Sequence, residues 1–334
     1  MTESALPMSR SALDRLGERL KAADRIAEDD LNSLAAVVDA YQRVLDDVKD
    51  QLTTLGYAAT TRVKTTGTLV EKLRREDKML LSRVQDLAGA RIIVADRPAQ
   101  DDAVGRIREH FEAVSQDCRV VDRRRSPSHG YRAVHVIVKL RSVQVEIQVR
   151  TDLEDTWAQI VERLADRWGR GIRYGGDPID PEAEVRAGQL VFSRRQAVAY
   201  LIELGAAIDS FEVLRGMMMV LGQAGRLMAR LVQYADQLPQ AADPRLIAEL
   251  PESERAGADF MVAGATLIAD QEQRAAIDPQ NMTMAQVFRI VSDNVSALTE
   301  ESAVMLAELP VQERELRDTL QMIASASAEG SDGA

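Results

Sequence analysis

A chain of 334 residues, nearly half of them apolar, has the length for two domains or for one domain with a large appendage. Its single cysteine, Cys118, excludes an internal disulfide and any zinc or iron–sulfur site built from several cysteines. The net charge of −11 conceals a basic middle: residues 61–150 hold 19 Lys and Arg against 12 Asp and Glu, which suits a pocket for a polyanion better than a general nucleic-acid surface.

The first twenty residues have no apolar h-region, and no apolar run approaches the length of a membrane span, so a soluble, cytoplasmic protein with no membrane partner is expected. Leu13, Leu16, Leu20 and Ile26, then Leu34, Val37, Tyr41, Val44, Leu45 and Val48, recur at three- and four-residue steps and predict helices over 9–55 closed by Gly56. Residues 61–64 read as extended or irregular, and a helix opens at Thr66 or Gly67 and runs to about Asp77. Strands are predicted at 90–95 and 118–122 with a helix at 101–114 between them, and Cys118 beside Val120 and Val121 is expected to be a buried thiol. His110, on that helix, is expected at the surface or the edge of the core.

Residues 133–151 predict a hairpin. Val143, Val145, Ile147 and Val149 alternate with Gln144, Glu146, Gln148 and Arg150, so one strand face is apolar and the other lines up an acid, amides and an arginine. A helix follows over 153–168 with Trp157, Ile160, Val161, Leu164 and Trp168 inward. The Gly- and Pro-rich stretch after it marks a domain boundary near Asp177. From Glu184 to about Gln321 the expectation is helix almost throughout. Val198, Leu201, Leu204, Ile208, Phe211, Leu214, Met218, Leu221 and Met228 form a long apolar stripe that Gly216, Gly222 and Gly225 interrupt, Met217–Met219 fill core, and further helices span 244–277 and 284–324. The organisation expected is N-terminal helices over 9–60 packing on a central domain of 61–177, a helical region of 178–324 and a disordered tail of 325–334.

Asp86 lies at the mouth of the 90–95 strand and Glu146 midway along the hairpin's polar face. An Asp and a Glu from two strands of one sheet make a Mg²⁺ site of the kind completed by substrate phosphates. Arg62, Lys64, Lys72, Arg91 and Arg150 suit a triphosphate clamp, and Tyr131 beside Gly130 suits a platform for a base. In order and spacing these residues resemble the synthetase domain of the RelA/SpoT family over about 61–175. The matches are Arg62-x-Lys64 with Thr68 and Lys72, then Asp86-Leu87-x-Gly89-x-Arg91, then Gly130-Tyr131 with His135, then Glu146 to Thr151.

The resemblance implies an α+β fold, a nucleotidyltransferase-like mixed β-sheet flanked by helices, here with an all-helical C-terminal region. It implies a stand-alone small alarmone synthetase, a GDP/GTP diphosphokinase of the stringent response. Pyrophosphate would pass from ATP to the 3′-hydroxyl of GDP or GTP, giving guanosine tetra- or pentaphosphate and AMP. It implies Asp86 and Glu146 as catalytic residues and Mg²⁺ ligands, with Glu146 also taking the hydroxyl proton. Arg62, Lys64, Thr68, Lys72 and Arg91 would hold ATP, and Tyr131, His135, Gln148 and Arg150 the acceptor.

Family members usually carry a Lys and an Asn ahead of Gly-Tyr. Pro127, Ser128 and His129 stand here instead, after Arg123, Arg124 and Arg125. That arginine run, with Arg163, Arg167, Arg170 and Arg173, motivates an alternative acceptor, tRNA, for a translation-blocking toxin; a second alternative is an inactive nucleotide-binding module. No His-Asp pair of the family's hydrolase domain occurs, and about 60 residues precede the motifs, too few for that domain. The C-terminal helices are expected to serve as scaffold, or to bind a second copy or another protein.

Overall fold

The expected elements of the first 170 residues form in the computed structural model, with boundaries shifted by no more than four residues. The structure describes residues 4–76, 78–84, 86–187, 189–237 and 284–326. Helix α1 (Arg10–Ala22) starts at Ser9, whose hydroxyl accepts from the Ala12 amide. Helix α2 (Glu28–Thr54) opens on Glu28, Asp29 and Asp30, acids that suit the positive end of its dipole. It is followed by Gly56 in the left-handed region at φ 89°. Strand β1 (Ala59–Val63) leads into α3 (Thr66–Arg75), capped by Thr65. Then come β2 (Ala88–Val94), α4 (Arg97–Val114), β3 (Asp117–Asp122), β4 (Val134–Leu140) and β5 (Val143–Thr151). Helix α5 (Asp152–Trp168) starts from a capping box, Thr151 and Glu154, written in the sequence as Thr-x-x-Glu.

The five strands form one sheet in the order β1-β2-β5-β4-β3, with β2 and β5 parallel and the other neighbours antiparallel. One face packs Val143, Val145, Ile147 and Val149 with Val136, Val138, Ala90 and Ile92 against α2 and α4, which contribute Val44, Leu45, Val48, Leu52, Ile107 and Phe111. Burying each of these Val, Leu, Ile and Phe side chains stabilises the fold by roughly 1.5–3 kcal/mol. The register sets the other face. Arg62 lies opposite Gly89, Gly89 opposite Glu146, and Glu146 opposite Ile137. In the next row Arg91 lies opposite Gln148, and Gln148 opposite His135. A period of two therefore collects charged residues of four strands on one surface. Cys118, on edge strand β3, is half-buried rather than enclosed. His110 sits at the core edge, 2.8 Å from Gln51 Oε1.

Beyond α5 the expected continuous helix gives way to a hairpin, β6 (Glu184–Ala187) and β7 (Leu190–Ser193). Four-residue strands are too short for alternation to stand out against a helical background. Helix α6 (Arg194–Gln237) then runs through Gly216, Gly222 and Gly225 without a break. A glycine costs a helix only about 1 kcal/mol, less than neighbouring packing returns. Of the methionines expected as core filler, Met218 is buried and Met217 is 56% exposed. Helix α7 spans Met284–Ala326 and takes in the first two residues of the expected tail. The helix expected over 244–277 and the rest of that tail lie outside the described residues. Two compact units result, Met1–Glu212 with Leu316–Ala334, and Val213–Glu315. The first contains the sheet, its helices and the opening of α6. No helix among the described residues is long and apolar enough to cross a membrane.

Candidate active site

Asp86, in the turn before β2, receives Lys64 Nζ on Oδ2 at 2.5 Å and Lys72 Nζ on Oδ1 at 2.8 Å. Lys64 arrives from the end of β1 and Lys72 from the last turn of α3. Burial opposes ionisation of Asp86, but the two hydrogen bonds and the two positive charges outweigh it and hold the carboxyl below its ordinary range. Burial also draws the Lys64 ammonium down, assisted by the charges of Lys72 and Arg62, so Asp86 compensates it only in part.

Glu146, midway along β5, is 2.9 Å from His135 Nδ1 through Oε1 and accepts from Gln148 Nε2 through Oε2 at 2.8 Å. Burial again opposes ionisation, and hydrogen bonding and charge from His135, with the Gln148 bond, outweigh it. The negative charge of Asp86 acts on Glu146 in the opposite sense, which marks the two carboxylates as sharing one field.

From Glu146 the contacts close into a ring. His135 Nε2 lies 2.8 Å from Tyr131 Oη, Tyr131 Oη accepts from Arg150 Nη2 at 3.2 Å, and Arg150 Nη2 also donates to Gln148 Oε1 at 2.9 Å. Gln148 returns to Glu146. The guanidinium can only donate, so the Tyr131 hydroxyl accepts from Arg150 and keeps its own proton and a second lone pair towards His135 Nε2, while the ionised Glu146 carboxylate can only accept, so His135 Nδ1 carries the proton that faces it. Both Nη atoms of Arg150 are partnered, whereas its buried Nε has no hydrogen-bond partner. The Arg150 guanidinium stands 5.1 Å from the Tyr131 ring centroid. Burial pushes the Tyr131 hydroxyl up despite the opposing charge of Arg150. Tyr131 is half-buried in this packing, not the freely exposed ring of a bare platform.

Arg150 is 2% exposed and donates through Nη1 to Asp155 Oδ1 at 3.0 Å. Arg91, from the neighbouring strand, reaches the same oxygen at 3.3 Å and Glu162 Oε1 at 3.9 Å. Asp155 and Glu162 lie on α5, which thereby covers one end of the polar face. Sequence reasoning missed Asp155; the available signal was an acid one residue past the Thr151/Glu154 capping box, where the first turn of α5 returns over Arg150.

Arg62 is exposed beside Gly89, with no ion-pair partner among the described residues. Thr68 turns its hydroxyl to the Thr65 carbonyl, 3.0 Å away, inside the cap of α3. The site face thus gathers Asp86, Glu146, Lys64, Lys72, Arg62, Arg91, Tyr131, His135, Gln148 and Arg150, while Thr68 is committed to local structure.

The arginines that suggested a larger anion divide differently. Arg124 is tied to Asp122 at 2.9 Å, Asp101 at 2.7 Å and Gln100 Oε1 at 2.9 Å, so the middle of the run is structural. Arg170 pairs with Glu71 and Arg173 with Asp166. Of the run, Arg123 and Arg125 remain exposed.

Among known proteins, the family described as "Region found in RelA / SpoT proteins" matches residues 61–165. Uncharacterised proteins of Mycobacterium tuberculosis (strain H37Rv) and Mycobacterium bovis are 37% identical over 191 residues, covering 55% of this chain and 68% of theirs. Among solved structures, small alarmone synthetase 2 of Bacillus subtilis is 21% identical, covering 52% of this chain and 91% of that one, with a TM-score of 0.40. Small alarmone synthetase 1 of the same organism, bound to its product pppGpp, is 23% identical, with 55% and 93% covered and a TM-score of 0.39. The family match falls on the elements that bring Asp86, Glu146 and their cations to one surface, and the mycobacterial relatives extend the likeness over two thirds of their own length: this chain belongs to the RelA/SpoT family.

Proposed function

We propose that the chain transfers pyrophosphate from ATP to the 3′-hydroxyl of GDP or GTP, releasing AMP and forming guanosine tetra- or pentaphosphate. The observation that carries this reading is Asp86, held by Lys64 and Lys72 in the turn that opens β2, beside a sheet face on which the register lines up Glu146, Arg62, Arg91, Gln148 and His135. The 3′-oxygen bonds to the β-phosphorus, the bond from that phosphorus to the bridging oxygen breaks, and AMP leaves with that oxygen.

The residues fit Mg²⁺. Each oxygen of Asp86 and of Glu146 accepts one hydrogen bond, which leaves hard-oxygen lone pairs for a cation. Among the described residues no group of three or more His, Cys, Asp or Glu forms a cage. Two carboxylates plus substrate phosphates is the arrangement magnesium takes in nucleotide enzymes. Asp86 and Glu146 would hold it, and when bound it neutralises charge developing on the phosphoryl oxygens.

Lys64 and Lys72, now on Asp86, would turn to the phosphates of ATP with Arg62 and Arg91, and Glu146, kept ionised, would take the proton of the 3′-hydroxyl. Guanine would stack on the Tyr131 ring, which Arg150 backs. His135 and Gln148 hold Glu146 in place. The test is nucleotide chromatography after mixing the protein with ATP, GDP and Mg²⁺. A guanosine product formed one-for-one with AMP is expected. No such product, or label from ATP entering tRNA but not GDP, would sink the assignment.

His135→Phe should move the acid limb of the kcat/KM profile to higher pH. The depressed Glu146 pKa keeps the base ionised as pH falls, and its function is lost on passing below that value. Removing His135 takes away the largest interaction that favours the charged form, so the loss begins at higher pH. An unmoved limb would show that Glu146 is not the group observed.

A further inference from the structure

Helix α6 begins in the same compact unit as the sheet, and its residues 201–209 lie against the loop that carries Tyr131. A Cβ on Gly205 would sit 2.7 Å from the Gly130 carbonyl oxygen and 3.3 Å from its carbonyl carbon and Cα. These are backbone atoms, so no rotamer change relieves the overlap and the loop itself has to move. Glycine in a helix interior costs about 1 kcal/mol relative to alanine. Local helix formation therefore disfavours the residue that this close approach demands.

The loop is fitted from its own side as well. Gly130 has φ 86°, and a Cβ there would meet Trp157 Cζ2 at 2.7 Å and Ile202 Cα at 3.1 Å. Polar ties cross the same contact. Trp157 Nε1 donates to the Leu201 carbonyl at 2.7 Å. Arg132 Nη1 donates to the Gly130 carbonyl at 3.2 Å, while its Nε lies 3.6 Å from Asp209, which also pairs with Arg97. Ser128 and Tyr131 exchange backbone hydrogen bonds across this tight turn, so a shift of Gly130 carries the Tyr131 ring with it.

We infer that the opening of α6 is a positioning element for the acceptor side of the site. Gly205 and Asp209 are positioning residues that set where the Gly130–Tyr131 turn stands, and thereby how tightly the acceptor nucleotide is held. The inference rests on the acceptor role given above to Tyr131. It assigns a task within the site to a stretch of the C-terminal helices that carries no motif of its own.

The test compares the full chain with Gly205→Ala and Asp209→Asn. In amide hydrogen exchange, residues 128–132 should exchange about fivefold faster or more in both variants, with α3 unchanged. With ATP and GDP as substrates, the KM for GDP should rise about tenfold while kcat and the KM for ATP stay within about twofold, as expected when one substrate's subsite is displaced. Asp209→Glu, which keeps the carboxylate, should recover most of the loss. Should Gly205→Ala fail to fold, Asp209→Asn carries the comparison. Unchanged exchange at 128–132, equal acceleration in α3, or a parallel rise of both KM values would overturn the inference. If the unaltered chain forms no AMP-coupled product, the acceptor reading fails, and hydrogen exchange alone decides the positioning.

Discussion

Asp86→Asn is expected to abolish AMP-coupled transfer, a loss of about 10³-fold or more in kcat/KM, given that removing one preorganised electrostatic contact already costs roughly 10²–10³. The isosteric amide keeps the shape of the turn before β2 and changes only charge and donor pattern. It removes one of two carboxylates available to a cation and leaves Lys64 and Lys72 facing each other without the anion between them. The side chain of Asp86 is 37% exposed, so water replaces part of what is lost and the fold should persist. Two measurements separate the effects: chromatography of the nucleotide products, and a urea melt. Retention of more than a few per cent of activity in a folded Asp86→Asn protein would remove Asp86 from the catalytic pair. A control follows from the same geometry. Thr68→Ala should leave both kcat and KM near their starting values, because its hydroxyl serves the cap of α3.

Asp155→Ala should cost about 3–5 kcal/mol of stability, the range for breaking a buried ion pair from one side. Arg150 and Asp155 have side chains only 3% exposed, and Arg91 converges on the same carboxylate oxygen. Truncation leaves a buried guanidinium with Tyr131 and Gln148 as neutral partners and frees Gln159, which also donates to Asp155. Asp155→Asn retains an acceptor for Arg150 and should cost distinctly less. Urea midpoints of the two variants check the order, and a melt of Asp155→Ala within about 1 kcal/mol of the unaltered protein would show that the pair is not what holds Arg150 in the floor of the site. Arg150 is also a member of the ring that reaches Glu146, so activity is expected to fall with stability in Asp155→Ala.

The turn ahead of Tyr131 shows which residue types its backbone admits. The RelA/SpoT resemblance expects a Lys and an Asn ahead of Gly130-Tyr131, where Pro127, Ser128 and His129 stand. His129 takes φ 52° and Gly130 φ 86°, successive left-handed residues in a two-residue turn. Asn and His are both enriched among the non-glycine residues that adopt this region. His129 therefore suits the left-handed position of the turn that presents Tyr131, as an Asn would. The arginine run next to it misleads. Arg124 looks like a ligand in sequence and is bound to Asp101, Asp122 and Gln100 in the fold.

The sequence by itself determined the elements whose cause is local. The alternation of β5 assigned Val143, Val145, Ile147 and Val149 to one face and Glu146, Gln148 and Arg150 to the other, because side chains alternate along any strand. The three- and four-residue steps of α1 and α2, the Gly56 stop and the chain order of the motifs were legible for the same reason. Only the tertiary structure decided which charges meet. Lys64 and Lys72 converge on Asp86, Arg91 and Arg150 share Asp155, and Gly205 lies under Gly130. Their separations in sequence range from 5 to 75 residues, and no periodicity couples them. Electrostatic partners and close backbone contacts are chosen through space, by the β2–β5 register, the return of α5 over the polar face and the approach of α6 to the Gly130 loop, so they come into being only when the sheet is assembled.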